Sequence, residues 1–237
     1  MLPTTAALYC AGGRHVSDCH AFIFDLDGTL VDSLQDITNA LNAALTGIHR
    51  APAEASKVRS WIGSGLLTLC RRAVNEDDPT TIAKLVQLTA ESYAAHSTDH
   101  TRLYPKLLKI LDLLHDRRTP MALLSNKPHA LTVQLVKGLA IDRYFAEVRG
   151  CTEEQDKKPS PKNALAIAEL LGVEPRRVFF IGDSPLDVET ARNAGMIAVA
   201  VTWGFNDRPE LEAAHPDFFV DDPDLIPDLP KRASKLF

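Results

Sequence analysis

Four short apolar runs constrain this chain more than any other feature: Ala21–Asp25, Met121–Ser125, Val178–Asp183 and Ile197–Val201. Each is rich in aliphatic or aromatic residues, bounded by polar turn residues, and of the length expected for a buried strand. Two weaker runs, Ala146–Cys151 and Asp217–Val220, read as further strands. Helical patterns lie between them. Leu107 to Leu114 follows Pro105, a good early-helix residue, and Ala164 to Leu171 ends at Gly172, a suitable C-cap. Strands alternating with helices predict an α/β fold with a parallel sheet covered on both faces. In such sheets ligands gather at the carboxyl ends of the strands. The first three runs place their polar tails there.

One long interval breaks the rhythm. From Ser33 to about Arg102 no strong strand pattern appears, and three helical stretches do: Leu34–Ile48, Leu66–Val74 and Thr81–His96. Ser33 and Asp36 have the spacing of a capping box, and Ile37, Leu41, Ala44, Leu45 and Ile48 form an apolar stripe that belongs in a core. The expected organisation is a flexible leader over residues 1–19, a core made of residues 20–32 and 103–237, and a helical insert over 33–102 that covers the pocket.

Bulk properties exclude several classes. The 237 residues carry 26 Lys and Arg against 31 Asp and Glu, a net charge of -5, which offers no general attraction to nucleic acid or anionic membrane. No run approaches the length of a membrane span. The four cysteines, Cys10, Cys19, Cys70 and Cys151, are scattered, without metal-ligand spacing or a disulfide framework. Residues 1–19 lack the basic region and cleavage site of a signal peptide. The chain reads as a cytoplasmic enzyme, monomer or homodimer, acting on a small molecule.

The chemistry starts at Asp25-Leu26-Asp27-Gly28-Thr29-Leu30, directly behind the first apolar run. Strand alternation sends two acids at this spacing to the same side, where each raises the cost of ionising the other. A cation must sit beside them, and Mg2+ suits an all-oxygen site. The plain alternative is a strand-to-turn exit. Gly182-Asp183-Ser184-Pro185-Leu186-Asp187 repeats the arrangement, with helix capping as the plain role of Asp183 and Asp187. Ser125-Asn126-Lys127 offers a hydroxyl and backbone N–H groups for an anionic oxygen, or an ordinary turn. Lys158 stands in Lys157-Lys158-Pro159-Ser160-Pro161, a restricted entry into the Ala164 helix.

Taken in chain order, the segments at Asp25, Ser125, Lys158 and Gly182 resemble the four motifs of the haloacid dehalogenase superfamily, and the likeness spans about residues 20–230. It implies a Rossmann-like core with an inserted α-helical cap. Arg59-Ser60-Trp61-Ile62-Gly63-Ser64-Gly65 and Val201-Thr202-Trp203-Gly204-Phe205 are similar to segments of phosphoglycolate phosphatases. The chain departs from those relatives at Lys106, where they usually have Gly, and at Arg149-Gly150-Cys151-Thr152, where they often carry Gly followed by Asp.

The resemblance implies a Mg2+-dependent phosphatase for a small phosphorylated metabolite, 2-phosphoglycolate foremost. A carboxylate approaching a phosphate dianion meets about 4 kcal/mol of repulsion per charge pair at about 4 Å and an effective dielectric of about 20. Mg2+ and Lys158 are expected to reverse that field. Asp25 is then the nucleophile and Asp27 the general acid and base, protonated at the start. Ser125 and Asn126 hold a phosphoryl oxygen, and Gly28 lets the backbone approach the phosphoryl group. Asp25, Asp27 and Asp183 form the metal site, supported by Asp187. Arg59 either grips the substrate carboxylate bidentately or is a solvated or interdomain residue, while Trp61 belongs to the cap core or hinge. A dehalogenase has no need of Asp27. A phosphomutase, a phosphatase for sugar phosphates or nucleotides, and a silent phosphate-binding protein on the same fold are the competing possibilities.

Overall fold

The structure is a computed structural model that describes residues 20–75 and 78–234; the leader expected over 1–19 lies outside them. The strands are β1 (Ala21–Phe24), β2 (Val31–Asp32), β3 (Arg102–Leu103), β4 (Met121–Pro128), β5 (Glu147–Cys151), β6 (Val178–Gly182), β7 (Ile197–Val201) and β8 (Phe218–Val220). The helices are α1 (Leu34–Gly47), α2 (Ala55–Trp61), α3 (Leu66–Val74), α4 (Pro79–His96), α5 (Leu107–Asp116), α6 (His129–Gly138), α7 (Lys162–Leu171), α8 (Pro185–Asn193), α9 (Arg208–Ala213) and α10 (Leu229–Ala233).

Six strands form one parallel sheet in the order β5-β4-β1-β6-β7-β8. Period-two alternation divides its residues between two cores. Phe22, Phe24, Leu123, Phe179 and Ile181 pack with Leu107, Ile110 and Leu111 of α5 on one face. Ala21, Ile23, Ala122, Leu124 and Phe180 pack with Ala164, Ile167 and Leu171 of α7 on the other. With both faces covered, strands of continuous apolar sequence are the stable solution. From β1 the chain builds outward to β4 and β5, then returns to place β6, β7 and β8 on the opposite side of β1. The switch point therefore opens a crevice at the carboxyl ends of β1, β4 and β6, where open α/β sheets hold ligands.

The strand containing Ser125-Asn126-Lys127 continues past its expected end, to Pro128. Its register with β5 shifts between Leu124 and Pro128. An irregularity of this kind bends a strand and re-aims its side chains. Lys106 caps α5 in the left-handed region, at φ 71, a conformation that glycine adopts more readily than lysine. Its ammonium is paired with Asp222 and Asp224.

Four helices, α1 to α4, lie between β2 and β3 and form the cap. They bury their own core, including Leu41, Leu45, Val58, Leu69 and Leu85. The short helix α2 is an addition to the three expected; its single buried residue, Val58, gives no readable period. The cap joins the core through the antiparallel pair of β2 and β3, with Val31 opposite Leu103. The expected capping box at α1 does not form, since Ser33 makes no side-chain cap bond. Ser33 instead donates to Asp27 Oδ1 at 2.6 Å. Asp36 accepts from the Thr101 N–H and hydroxyl, each at 2.7 Å, and from the His100 N–H at 3.0 Å. Burial works against its charge, but these donors outweigh it and hold the carboxyl below its ordinary range. Asp36 thereby ties the first cap helix to the returning linker. Among the described residues, no helix is long and apolar enough to cross a membrane.

Candidate active site

The β1 ladder carries Asp25 into the sheet end, its N–H donating to Ile181 O at 2.9 Å. The chain then turns, and the Leu30 N–H returns to Leu26 O at 2.9 Å. This turn gives the two acids different ammonium partners, while both line one cavity. Asp25 joins Asp183 and Asp187 from the end of β6, with one oxygen of each lying within 4.8 Å of the others. All three are buried. Lys158 is their cation, with Nζ 2.8 Å from Asp25 Oδ1 and 2.6 Å from Asp187 Oδ1. Burial opposes its charge, yet Asp187 and Asp25 outweigh that and hold the ammonium above its ordinary range.

One ammonium does not balance three buried carboxylates. Burial, reinforced by Asp187 and Asp183 against the pull of Lys158, pushes Asp25 up to about 8. Burial and Asp187 push Asp183 up to about 6, against the hydrogen bonds it accepts. Asp25 Oδ1 is buried, with the Lys158 ammonium as its partner. A confined all-oxygen set, short of positive charge, fits a hard divalent cation.

This set differs from the expected Asp25, Asp27 and Asp183. The Asp27 carboxylate is held elsewhere, by Lys127 Nζ at 2.7 Å from both oxygens and by the Ser33 hydroxyl. Its immediate partners are a cation and a hydroxyl, whereas the crowding by acids expected around Asp27 falls on Asp25. Asp187 takes the vacated place in the cluster. It also accepts from the Ser184 hydroxyl at 2.6 Å and closes a capping box at α8, so capping and cluster membership coexist. Asp183 is pinned by the Thr29 hydroxyl at 3.0 Å and the Phe205 N–H at 2.8 Å. Gly28, at φ +86, is required by its neighbour: a β-carbon there would fall 2.2 Å from Asp183 Oδ2.

Ser125 lines the cavity beside Asp25 and Asp27. Its oxygen accepts from the Lys127 N–H at 3.2 Å, which leaves its own O–H as a donor. Asn126 is fully engaged in another task. Its Oδ1 accepts from the Lys158 N–H at 2.8 Å, and its Nδ2 donates to Lys158 O and to Gly63 O of the cap. The side-chain amide is spent on fixing the Lys158 segment. Arg59 likewise takes the interdomain alternative: Nε donates to Phe205 O at 2.8 Å and Nη2 to Gly204 O at 2.9 Å. Trp61 packs against the cap core. Lys127 stood in a quoted motif without a role. The two-residue period from Ser125, continued through β4, was the signal that places it at the site.

A family model described as haloacid dehalogenase-like hydrolase matches residues 22–201. The chain belongs to that family. The matched span of this haloacid dehalogenase-like hydrolase runs from β1 through β7 and includes all four acids and both lysines of the site. The chain is 36% identical to "Phosphoglycolate phosphatase 1" of Pseudomonas aeruginosa over 217 residues, covering 86% of this chain and 78% of the relative. It is 32% identical to "Phosphoglycolate phosphatase" of Escherichia coli K12 over 234 residues, covering 90% and 93% respectively. A crystal structure titled as a predicted phosphoglycolate phosphatase from Haemophilus somnus 129PT superposes with a TM-score of 0.84 at 29% identity, over 90% of this chain and 98% of that one. Sequence and fold agree on the parallel core and helical cap.

Proposed function

We propose that this hydrolase is a Mg2+-dependent phosphatase for small phosphate monoesters, 2-phosphoglycolate foremost, working through an aspartyl-phosphate on Asp25. The observation that carries this is Asp25 itself: a buried carboxylate paired with Lys158, clustered with two further acids and facing a cavity between core and cap. The names of the relatives supply 2-phosphoglycolate as the first substrate to try.

Asp25, Asp183 and Asp187 would hold the ion, which when bound supplies positive charge to the phosphoryl oxygens. Lys158 adds a fixed charge on the same side. An Asp25 oxygen forms a bond to phosphorus as the bond from phosphorus to the leaving oxygen breaks, and that oxygen takes a proton from the Asp27–Lys127 pair. Water then attacks phosphorus and gives a proton back to the pair. The P–O bond to Asp25 breaks, and inorganic phosphate leaves with the carboxylate restored. The Ser125 hydroxyl is the remaining donor to a phosphoryl oxygen. Asn126 acts indirectly, by fixing Lys158.

Phosphate release from a panel of phosphorylated metabolites, with Mg2+ or excess chelator, tests the assignment. Chelator-sensitive hydrolysis with the highest kcat/KM on 2-phosphoglycolate is expected. Full activity in chelator would rule the metal out, and a better ester in the panel would replace the substrate. Arg59→Ala separates the cap strut from a substrate reader. Because the guanidinium is spent on Gly204 and Phe205, kcat/KM is expected to fall by a similar factor, about tenfold, on 2-phosphoglycolate and on phenyl phosphate. A loss confined to 2-phosphoglycolate would return Arg59 to the substrate carboxylate.

A further inference from the structure

We infer that Tyr93 and Lys127 together form a subsite for a carboxylate on the leaving group, so that cap and core jointly read the acidic end of the substrate. The inference rests on the phosphatase proposal above and adds the residues that select among its substrates.

Tyr93, on α4, is only 4% exposed and lines the cavity shared with Asp25, Asp27 and Lys127. Its hydroxyl has no hydrogen-bond partner of adequate geometry in the protein. Buried hydroxyls are nearly always paired, so an orphan beside a cavity marks the position of a ligand's polar atom. Lys127 Nζ lies over the Tyr93 ring, 4.4 Å from its centroid. Two of the ammonium's three donors go to the oxygens of Asp27, and the third faces the Tyr93 side chain at the cavity.

The surrounding cap wall is apolar, with Ile37, Ile62, Leu66 and Leu69 lining it. Among the described residues, Lys127 is the one cation in that lining. Arg59 is turned away to Gly204 and Phe205. Asp27 is the group that serves the leaving oxygen, so a carboxylate one methylene away from that oxygen is carried to the neighbourhood of Lys127 and Tyr93. A leaving group without such an acid would meet a mainly apolar cap wall there and give the Tyr93 hydroxyl no charged partner.

Tyr93→Phe is the diagnostic change, because it removes the hydroxyl and keeps the ring against the ammonium. A purely structural role, exerted through the neighbouring Lys127, predicts the same change for both esters. Binding is measured by calorimetric titration in Mg2+ on Asp25→Asn protein, which blocks turnover, using 2-phosphoglycolate and ethyl phosphate. With Tyr93 present, 2-phosphoglycolate is expected to bind at least about tenfold more tightly. Tyr93→Phe is expected to erase most of that preference and to leave ethyl phosphate binding unchanged. An equal preference in both proteins, or none in the protein with Tyr93, overturns the subsite. Hydrolysis by wild-type protein is scored separately. If no ester turns over, the phosphatase proposal fails, while the binding preference still decides whether Tyr93 and Lys127 read a carboxylate.

Discussion

Asp25→Asn is expected to lower kcat by a factor on the order of 10^4 or more and to leave no covalent phosphate on the protein, because an amide cannot serve as the nucleophile. The fold should survive. Lys158 keeps its 2.6 Å partner Asp187, and the substitution removes one carboxylate from a crowded cluster. Asp27→Asn should behave differently. Loss of the general acid lowers kcat by a factor of about 10^2 to 10^4 on alkyl phosphates. With 4-nitrophenyl phosphate, whose leaving group departs without a proton, the first step is spared and the phosphoenzyme should accumulate. This substitution also deprives the buried Lys127 of its carboxylate partner, which costs about 3–5 kcal/mol when one member of a buried pair is lost. Thermal denaturation of the variant beside its kinetics separates lost stability from lost chemistry. Rapid acid quench and intact mass measurement read both variants. A phosphorylated Asp25→Asn protein would sink the nucleophile assignment.

Much of this architecture was legible because it depends on local pattern. The run Ile197–Val201 is strand β7 residue for residue, and Leu66–Val74 is helix α3. Apolar runs of that length have few other ways to be buried. The site was legible at the level of strand ends and illegible at the level of partners. The spacing of Asp25 and Asp27 suggested a shared face, but the turn at Leu26 gives them to different cations. No sequence period reports such a turn. Arg59 reaches Gly204 and Phe205, some 145 residues away, through a helix too short to announce itself. Gly28 was rightly singled out for close approach, yet the group that approaches is Asp183, from another strand. Lys127 was hidden by the early end assigned to β4, since a residue taken for a turn attracts no period-two argument. In each case the missing information is long-range packing.

The acid cluster makes stability a function of pH and metal together. In the metal-free protein Asp25 and Asp183 stand at about 8 and about 6 in the folded state. Unfolded Asp titrates near 3.9, so both groups are raised by folding. A raised group contributes stability that is fully present below its unfolded value and is lost as pH rises through its folded value. Stability is therefore expected to fall from about pH 4 upward, most steeply while both groups differ, with the loss complete above about pH 8. Each group sets a limiting slope of about 1.4 kcal/mol per pH unit. Mg2+ should oppose the fall, since an ion bound only by the folded protein at 100 times its Kd stabilises by about 2.7 kcal/mol. For a chain of this size that is a rise in Tm of roughly 5–10 °C. The rise should be larger at pH 8 than at pH 6, because protons compete for the same oxygens. Asp183→Ala should flatten the metal-free pH profile, abolish most of the Mg2+ shift and collapse activity while the protein remains folded. Differential scanning calorimetry across pH 5 to 8.5, with Mg2+ or chelator, decides the matter. An Asp183→Ala protein with the wild-type pH slope and the wild-type Mg2+ shift would remove the ion from this cluster. The three buried carboxylates would then need another source of positive charge.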